Sequence, residues 1–339
     1  MIKGILNKYV LDEHDILSLL QTDEENEIAL ILQKADEVRK ESCGDEVYLR
    51  GIIEFSNYCE QDCLYCGLRK SNSILDRYRM SKDEILQTAN RIYNAGIKTI
   101  VLQSGEDFSF TGNEIEEIIL EIKNRFDAAV TLSLGERDYG DYELWRKAGA
   151  DRYLLKHETS NAHLYSVYHQ GQKLQDRIQH LLFLKSLGYQ IGSGNIVGLP
   201  NQTLRVIAED IMLCKSLDVD MASFSPFIPS KDTPYRKQKA CEVNLILKVI
   251  AIARIILKNV HMPATTALAS LDPIGREKGL KAGANVIMPN FTPSPYKEKY
   301  SIYENKKSDD NIMPELTSLI FSTGRIVSKE KGHTLKVSQ

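Results

Sequence analysis

The amino-acid sequence predicts an α/β protein, a (β/α)8 barrel of the TIM type with a helical amino-terminal preface, and three observations carry that expectation. Eight short β-like runs alternate with amphipathic helical patterns from Tyr48 onward. No composition break divides the 339 residues. No glycine-rich turn follows the first strand, where an open doubly wound sheet usually has one. Barrels of this kind run to roughly 250 residues or more as one domain, so one domain is expected over 1–339: a preface over 1–47, the barrel over 48–290 and a closing segment over 291–339.

Residues 12–42 place Ile16, Leu19, Leu20, Ile28, Leu30, Ile31, Ala35 and Val38 at helical spacing with charges between them, which predicts two preface helices. The expected strands are YLRGIIEFS (48–56), KTIVLQ (98–103), AVTLSL (129–134), RYLLKHE (152–158), YQIGSGNIVG (189–198), DMASFSPFIP (220–229), MPATTA (262–267) and ANVIMP (284–289). Between the first two lies SKDEILQTANRIYNAG, in which Ser81 can cap a helix, Glu84 completes a capping box and Gly96 can end it.

Strand parity then speaks to function. In the first strand Arg50, Ile52, Glu54 and Ser56 share one face, opposite Leu49, Ile53 and Phe55. In the third, Thr131 and Ser133 share a face, and in the fourth so do Arg152, Leu154, Lys156 and Glu158. With the apolar faces on the helices, charges and hydroxyls point into a lumen that a purely structural barrel would fill with Val, Ile and Leu. This predicts a wet, ligand-holding interior with Arg50 and Arg152 as an anion-binding pair. The competing reading sends one or both arginines to strand ends and solvent, or has Glu54 neutralise one of them.

Composition narrows the classes. The 43 Lys plus Arg against 46 Asp plus Glu leave a formal charge of −3, which excludes a polyanion binder held by bulk charge, so no nucleic-acid partner is expected. No apolar run approaches the roughly 20 residues of a membrane span, and the first residues lack a secretory h-region. The expectation is a cytoplasmic protein with no membrane partner. Six cysteines are no disulfide framework for a chain this long, and three of them crowd together.

That crowd is Cys59-Glu-Gln-Asp-Cys63-Leu-Tyr-Cys66, directly after the first strand. Three thiolates closing in one loop can each ligate one iron of a 4Fe-4S cluster and leave the fourth iron open to a chelating small molecule. A zinc site would need a fourth ligand, and the histidines nearest in sequence are His14 and His157. A redox disulfide would use only two of the three.

The C-x3-C-x-aromatic-C loop resembles that of the radical S-adenosylmethionine (SAM) enzymes. In that family SAM chelates the open iron through its amino and carboxylate groups, and reductive cleavage of SAM yields a 5′-deoxyadenosyl radical. Further segments resemble the HydE type of FeFe-hydrogenase maturases within that family: FSNYC, CLYCGLR, RYRM (77–80), TIVLQSGED (99–107), VTLSLGE (130–136), AGADRYLL-HET (148–159), IVGLPNQT (196–203), PFIP (226–229), PATTA (263–267) and GANVIMPNFTPSPY (283–296). Together they run from about residue 45 to residue 303.

The resemblance implies a role for each matching position. Cys59, Cys63 and Cys66 would hold the cluster and serve catalysis, with Tyr65 near the adenine of SAM. Gly105 and Glu106 would lie near the SAM amino group. Gln103, Ser133, Glu158 and Arg177 would make polar contacts to SAM, and Ile196 and Met288 would pack on adenine. Arg50, Arg152, Thr265 and Thr266 would line an internal cavity for a small anionic substrate, closed by Tyr300 and Tyr303. For Arg177 the plain alternative is a solvated surface arginine; for Ile196, Met288 and the two tyrosines it is ordinary packing.

No cysteine follows Cys241, so the accessory carboxyl-terminal cluster that many such maturases carry is not expected and a single 4Fe-4S cluster is. The implied activity is processing of a small iron- and cysteine-containing precursor of the hydrogenase di-iron site. A ferredoxin or flavodoxin type of electron donor and other hydrogenase maturation proteins would be the partners. The alternatives are a methylornithine synthase-like mutase of pyrrolysine biosynthesis and, from another class, a non-catalytic iron-sulfur carrier. Biotin synthase is disfavoured because none of the eight strands contains a cysteine.

Overall fold

The computed structural model of the chain describes residues 2–306 and 313–336. The first strand expected over 48–56 is two half-strands, β1 (Glu46–Leu49) and β2 (Gly51–Ser56), interrupted at Arg50. There follow β3 (Thr99–Ser104), β4 (Ala129–Ser133), β5 (Arg152–Leu154), β6 (Gln190–Ser193), β7 (Ile196–Val197), β8 (Met221–Ala222), β9 (Ser225–Pro226), β10 (Val286–Ile287) and β11 (Ile326–Val327). Parallel pairing runs in the order β2, β3, β4, β5, β6, β8. Single parallel bridges from Met221 to His261 and from Pro263 to Val286 continue it, and β10 pairs with β1. The circle is thus closed as a (β/α)8-type barrel.

Beyond the interrupted first strand, the fourth stops at Leu154 and three more expected strands change form. The seventh, expected over 262–267, is reduced to the bridges at His261 and Pro263, because Thr265 accepts a hydrogen bond from the Leu268 N–H (3.2 Å) and caps a helix over Thr266–Leu271. The hydroxyl satisfies an amide the helix would otherwise orphan, and this outweighs the strand pattern of the segment. The fifth and sixth are each cut in two. At Gly194 the backbone adopts φ +148°, and a Cβ there would lie 2.0 Å from the Ser223 carbonyl oxygen. Past this step β7 and β9 pair with each other as a separate upper layer.

Strand alternation explains the core. Leu49, Ile53 and Phe55 face outward with Ile100, Leu102, Val130, Leu132 and Ile191, and all are buried against the surrounding helices. The helix Lys82–Asn94 begins with the expected capping box between Ser81 and Glu84 and ends before Gly96. Ahead of β1 come three helices, Ile2–Leu6, Glu13–Gln21 and Glu25–Cys43, the last of which packs on Val243–Leu257. The Lys248 ammonium ties that outer helix to the preface by donating to the carbonyls of Leu20 (2.8 Å) and Thr22 (2.7 Å).

The foot of the barrel holds Arg50 and Arg152, and neither reaches solvent. Arg152 donates to the carbonyls of Lys331 (2.8 Å) and Gly332 (2.7 Å), to Thr99 Oγ1 (3.2 Å) and to Gln190 Oε1 (3.1 Å). Arg50 donates to the Gly332 carbonyl (3.3 Å) and to Met221 Sδ (2.7 Å). Residues 331–333 therefore lie as a strap across the barrel foot, also held by Thr99 Oγ1 on the Lys331 carbonyl (2.7 Å) and His261 Nε2 on the His333 carbonyl (2.8 Å). Glu54 does not neutralise Arg50; its carboxylate goes to Asn290 (2.8 Å) and Lys306. Carbonyl dipoles replace the expected counter-charge, and burial pushes Arg152 down to about 10 and Arg50 well below the usual guanidinium value. Of the expected closing segment 291–339, residues 307–312 and 337–339 lie outside the described residues.

Acid should destabilise this fold in a defined way. Burial, reinforced by Lys156 and Arg177, pushes the His157 imidazole down to about 3, and burial with Arg50 pushes His261 well below 6.5. As pH falls below roughly 6.5 the unfolded chain binds these protons and the folded chain does not, so stability present above that pH is lost. Each histidine contributes up to ~1.4 kcal/mol per pH unit. Urea midpoints should drop between pH 7.5 and 5, and His157→Gln should remove about one proton of that dependence; a flat midpoint would refute the assignment.

Candidate active site

At the carboxyl ends of the strands, the face on which barrel enzymes carry their sites, a cavity of about 380 Å³ opens into the lumen. Cys59, Cys63 and Cys66 line it from the loop after β2. This loop has no regular secondary structure, so its polar backbone needs side-chain partners. The Arg77 guanidinium donates to the carbonyls of Asn57 (2.6 Å), Leu68 (2.9 Å), Arg69 (2.7 Å) and Asn72 (3.3 Å). Asn57 donates to the carbonyls of Asp76 (2.9 Å) and Lys299 (2.8 Å) and accepts from the Tyr78 N–H (2.7 Å). Asp107 anchors the outer edge through Ser56 (2.6 Å) and Arg79 (2.7 Å). Inside the loop, Arg69 and Ser71 clamp Asp62 and hold its carboxyl far below the usual carboxylate range.

Gly105, at the end of β3, lets the next loop approach the cysteines. Its N–H donates to the Ser56 carbonyl (3.2 Å), and a Cβ there would lie 2.2 Å from the Tyr58 carbonyl oxygen and 2.7 Å from Cys59 Cβ. The following Glu106 is buried and accepts from Gln61 Nε2 (2.6 Å). Burial raises its pKa against the opposing pull of Arg177.

Arg177, on the helix Leu174–Ser186, is not the solvated arginine of the plain alternative. It is buried, donates from Nε to Glu136 (2.5 Å) and from Nη1 to the Lys156 carbonyl (3.0 Å), and lies 3.8 Å from Glu106. Burial opposes its charge, but Tyr165, Glu136 and Glu106 outweigh it and hold the guanidinium charged. Glu158 adopts φ +61°, a region that non-glycine side chains rarely occupy, and its Oε2 is buried without a hydrogen bond, the Lys156 ammonium lying 3.6 Å away. Gln172 Oε1 is likewise buried and unpaired. Unsatisfied acceptors of this kind mark a place where a ligand's donors fit.

The cavity brings together Tyr65, Gln103, Gly105, Glu106, Ser133, Glu158, Arg177, Ile196 and Met288 with the three cysteines. Thr265, Thr266, Tyr300 and Tyr303 line it too, Tyr300 through its hydroxyl near Gln103 Nε2 (3.4 Å). Arg50 and Arg152 share the Gly332 carbonyl of the strap and are absent from the cavity lining, with Arg50 Nε buried without a hydrogen bond, so the expected grouping with Thr265 and Thr266 is not what forms. Lys156 and Glu54 also line the cavity, as their parity allowed. Sequence reasoning missed Lys306, Gln172, Glu136 and His169. The last lies 3.3 Å from Cys63 Sγ through Nδ1 and 3.0 Å from the Tyr65 hydroxyl through Nε2; a histidine ending the run Tyr165–Tyr168 was the available signal.

Residues 53–214 match the Radical SAM superfamily. Over 311 residues, 91% of this chain and 89% of the relative, the sequence is 45% identical to the [FeFe] hydrogenase maturase subunit HydE of Thermotoga maritima. The chain belongs to the radical SAM superfamily and is HydE-like within it. A second relative, 3-methylornithine synthase of Methanosarcina acetivorans, is 31% identical over 285 residues, 84% of this chain and 80% of the relative. Among solved structures, methylornithine synthase (PylB) superposes with a TM-score of 0.86 at 24% identity, covering 96% of this chain and 97% of that one. HydG from Carboxydothermus hydrogenoformans gives 0.84 at 21%, covering 96% and 78%. These two likenesses speak for the fold.

Radical SAM membership implies a 4Fe-4S cluster and SAM. The donor set fits such a cluster: three thiols share one cavity, one for each of three irons. Burial pushes the Cys59 and Cys63 thiols up and Cys66 up to about 12, so binding iron must displace their protons. Adding one methyl group tests the cradle. Gly105→Ala should push the β3 loop off the cysteine loop and cut iron incorporation severely, while the melting temperature falls by only a few degrees, as expected for a change of about 1–2 kcal/mol confined to a loop. Full iron loading in the variant would show that the close approach is dispensable.

Proposed function

We propose that this chain is a radical SAM enzyme that reductively cleaves SAM and works as a HydE-like maturase. It would act on a small iron- and cysteine-containing precursor in assembly of the FeFe-hydrogenase di-iron site. The observation that carries the reading is the convergence, on one cavity at the carboxyl ends of the strands, of three cysteines and the nine further residues that the sequence resemblance assigns to SAM contacts. The 45% identity to HydE over nine-tenths of the chain supports it.

In this reading Cys59, Cys63 and Cys66 hold a single cluster, and Cys43, Cys214 and Cys241 are buried packing residues. When bound, the cluster and SAM supply one electron and a 5′-deoxyadenosyl radical. The chain does the rest. Glu106, Arg177, Glu158, Gln103 and Ser133 bind and orient the polar ends of SAM. Tyr65, Ile196 and Met288 take the adenine. The strap at the barrel foot and the buried tyrosines exclude water, which protects reactive species. Elsewhere on the lining, Thr265, Thr266 and Tyr300 present hydroxyls and Lys306, paired with Glu54, a cation suited to a small anionic substrate. A cytoplasmic setting, an electron donor of ferredoxin or flavodoxin type and contact with other maturation proteins belong to the same proposal.

The alternative, a methylornithine synthase-like mutase, has the fold likeness in its favour but the lower sequence identity, 31% against 45%. Anaerobic reconstitution should give about four irons per chain, and the reduced protein should turn SAM into 5′-deoxyadenosine and methionine. Cys63→Ala should abolish the cleavage. Seven or eight irons would contradict the single cluster, and undiminished cleavage in the variant would sink the assignment. Formation of methylornithine from lysine would select the alternative.

A further inference from the structure

Among the three cysteine sulfurs, that of Cys63 has a ring nitrogen set against it: His169, 106 residues away in sequence, places Nδ1 3.3 Å from the sulfur. The ring is locked in that pose. It stacks on Tyr165 with centroids 4.5 Å apart and planes within 12°, and it meets the Tyr65 ring edge-on at 5.5 Å. The backbone is pinned as well. The His169 N–H donates to the Tyr165 carbonyl (2.8 Å), and the Leu64 N–H of the cysteine loop donates to the Tyr168 carbonyl (3.0 Å). His169 is only 4% exposed, so water does not compete for its nitrogens.

We propose that His169 is a positioning residue for the cluster, donating Nδ1–H to the Cys63 sulfur and thereby raising the reduction potential at which the cluster accepts its electron. The inference rests on the cluster reading above. A sulfur bound to iron carries no proton and can only accept, so Nδ1 must be the donor. The Tyr65 hydroxyl, 3.0 Å from Nε2, then completes the arrangement by donating to the other nitrogen and selecting the tautomer. Hydrogen bonds to cluster sulfurs stabilise the more negatively charged reduced state and move the potential upward. A histidine that merely filled space between two tyrosines would not affect that potential.

The test is a redox titration, followed by electron paramagnetic resonance, of reconstituted wild-type protein, His169→Leu and His169→Asn; the asparagine amide nitrogen occupies nearly the place of Nδ1. Expected are a midpoint clearly more negative in the leucine variant and a midpoint near the wild-type value in the asparagine variant. Should leucine fail to hold four irons, full loading and a wild-type midpoint with asparagine still support the donor role. Equal midpoints in wild type and leucine variant would overturn the inference, and so would loss of the cluster in both variants, which marks a packing role. Wild-type protein that takes up no cluster would instead overturn the function reading, and this inference with it.

Discussion

The loop that carries the cysteines has no helix or strand to satisfy its backbone, and the Arg77 guanidinium stands in for one by donating to four of its carbonyls. The spacing of Cys59, Cys63 and Cys66 has chemical meaning only if that loop holds one shape. Charge-assisted donors on backbone carbonyls are among the stronger hydrogen bonds, and here they act on a partly buried segment where water competes poorly. Asn57 and the Ser56–Asp107–Arg79 cluster extend the same device to the loop's root and outer edge. Gly105 can then come within contact of Cys59 and complete the rim.

Above the apolar layer the lumen is charged, and it remains stable because its charges are placed in two separate sets. Glu106, Arg177 and Glu136 form one near the cysteines; Glu54, Asn290 and Lys306 form the other across the cavity. Each buried ion has an opposite charge or several donors, which offsets the several kcal/mol that desolvation costs. The first set keeps a guanidinium beside a partly unpartnered acceptor surface, where a zwitterionic cofactor would complete the pairing. The second, its ammonium paired with Glu54, lies beside lining hydroxyls that suit a ligand of their own. One cavity thus carries two chemically distinct ends.

The foot of the barrel solves a different problem. Two guanidiniums lie close together there without a carboxylate partner, and the carbonyls of Lys331 and Gly332 accept from them. Dipoles are weaker partners than ions, which is why burial depresses both arginines. The strap seals the end of the lumen opposite the cysteines, and chemistry is left one open mouth.

Much of this was legible in the chain itself. Alternation with period two marked the strands and told which of their residues face inward: Ile52, Glu54, Ser133 and Leu154 line the cavity as their parity requires, while Glu158 reaches it from beyond the end of β5. The Cys59–Cys63–Cys66 spacing marked the loop that lines the cavity with three thiols, and Ser81 with Glu84 marked a helix start. These are local signals, set by neighbours a few residues apart, and the sequence by itself determined them. What it could not determine depends on closure of the ring. The interruption at Arg50, the loss of the seventh strand to the Thr265 cap, the carbonyl strap under Arg152 and the seating of His169 on Cys63 join groups far apart in the chain. Only the tertiary structure decided those, because a buried donor or charge takes whichever acceptor the closed barrel brings within about 3 Å, and no residue pattern records that distance.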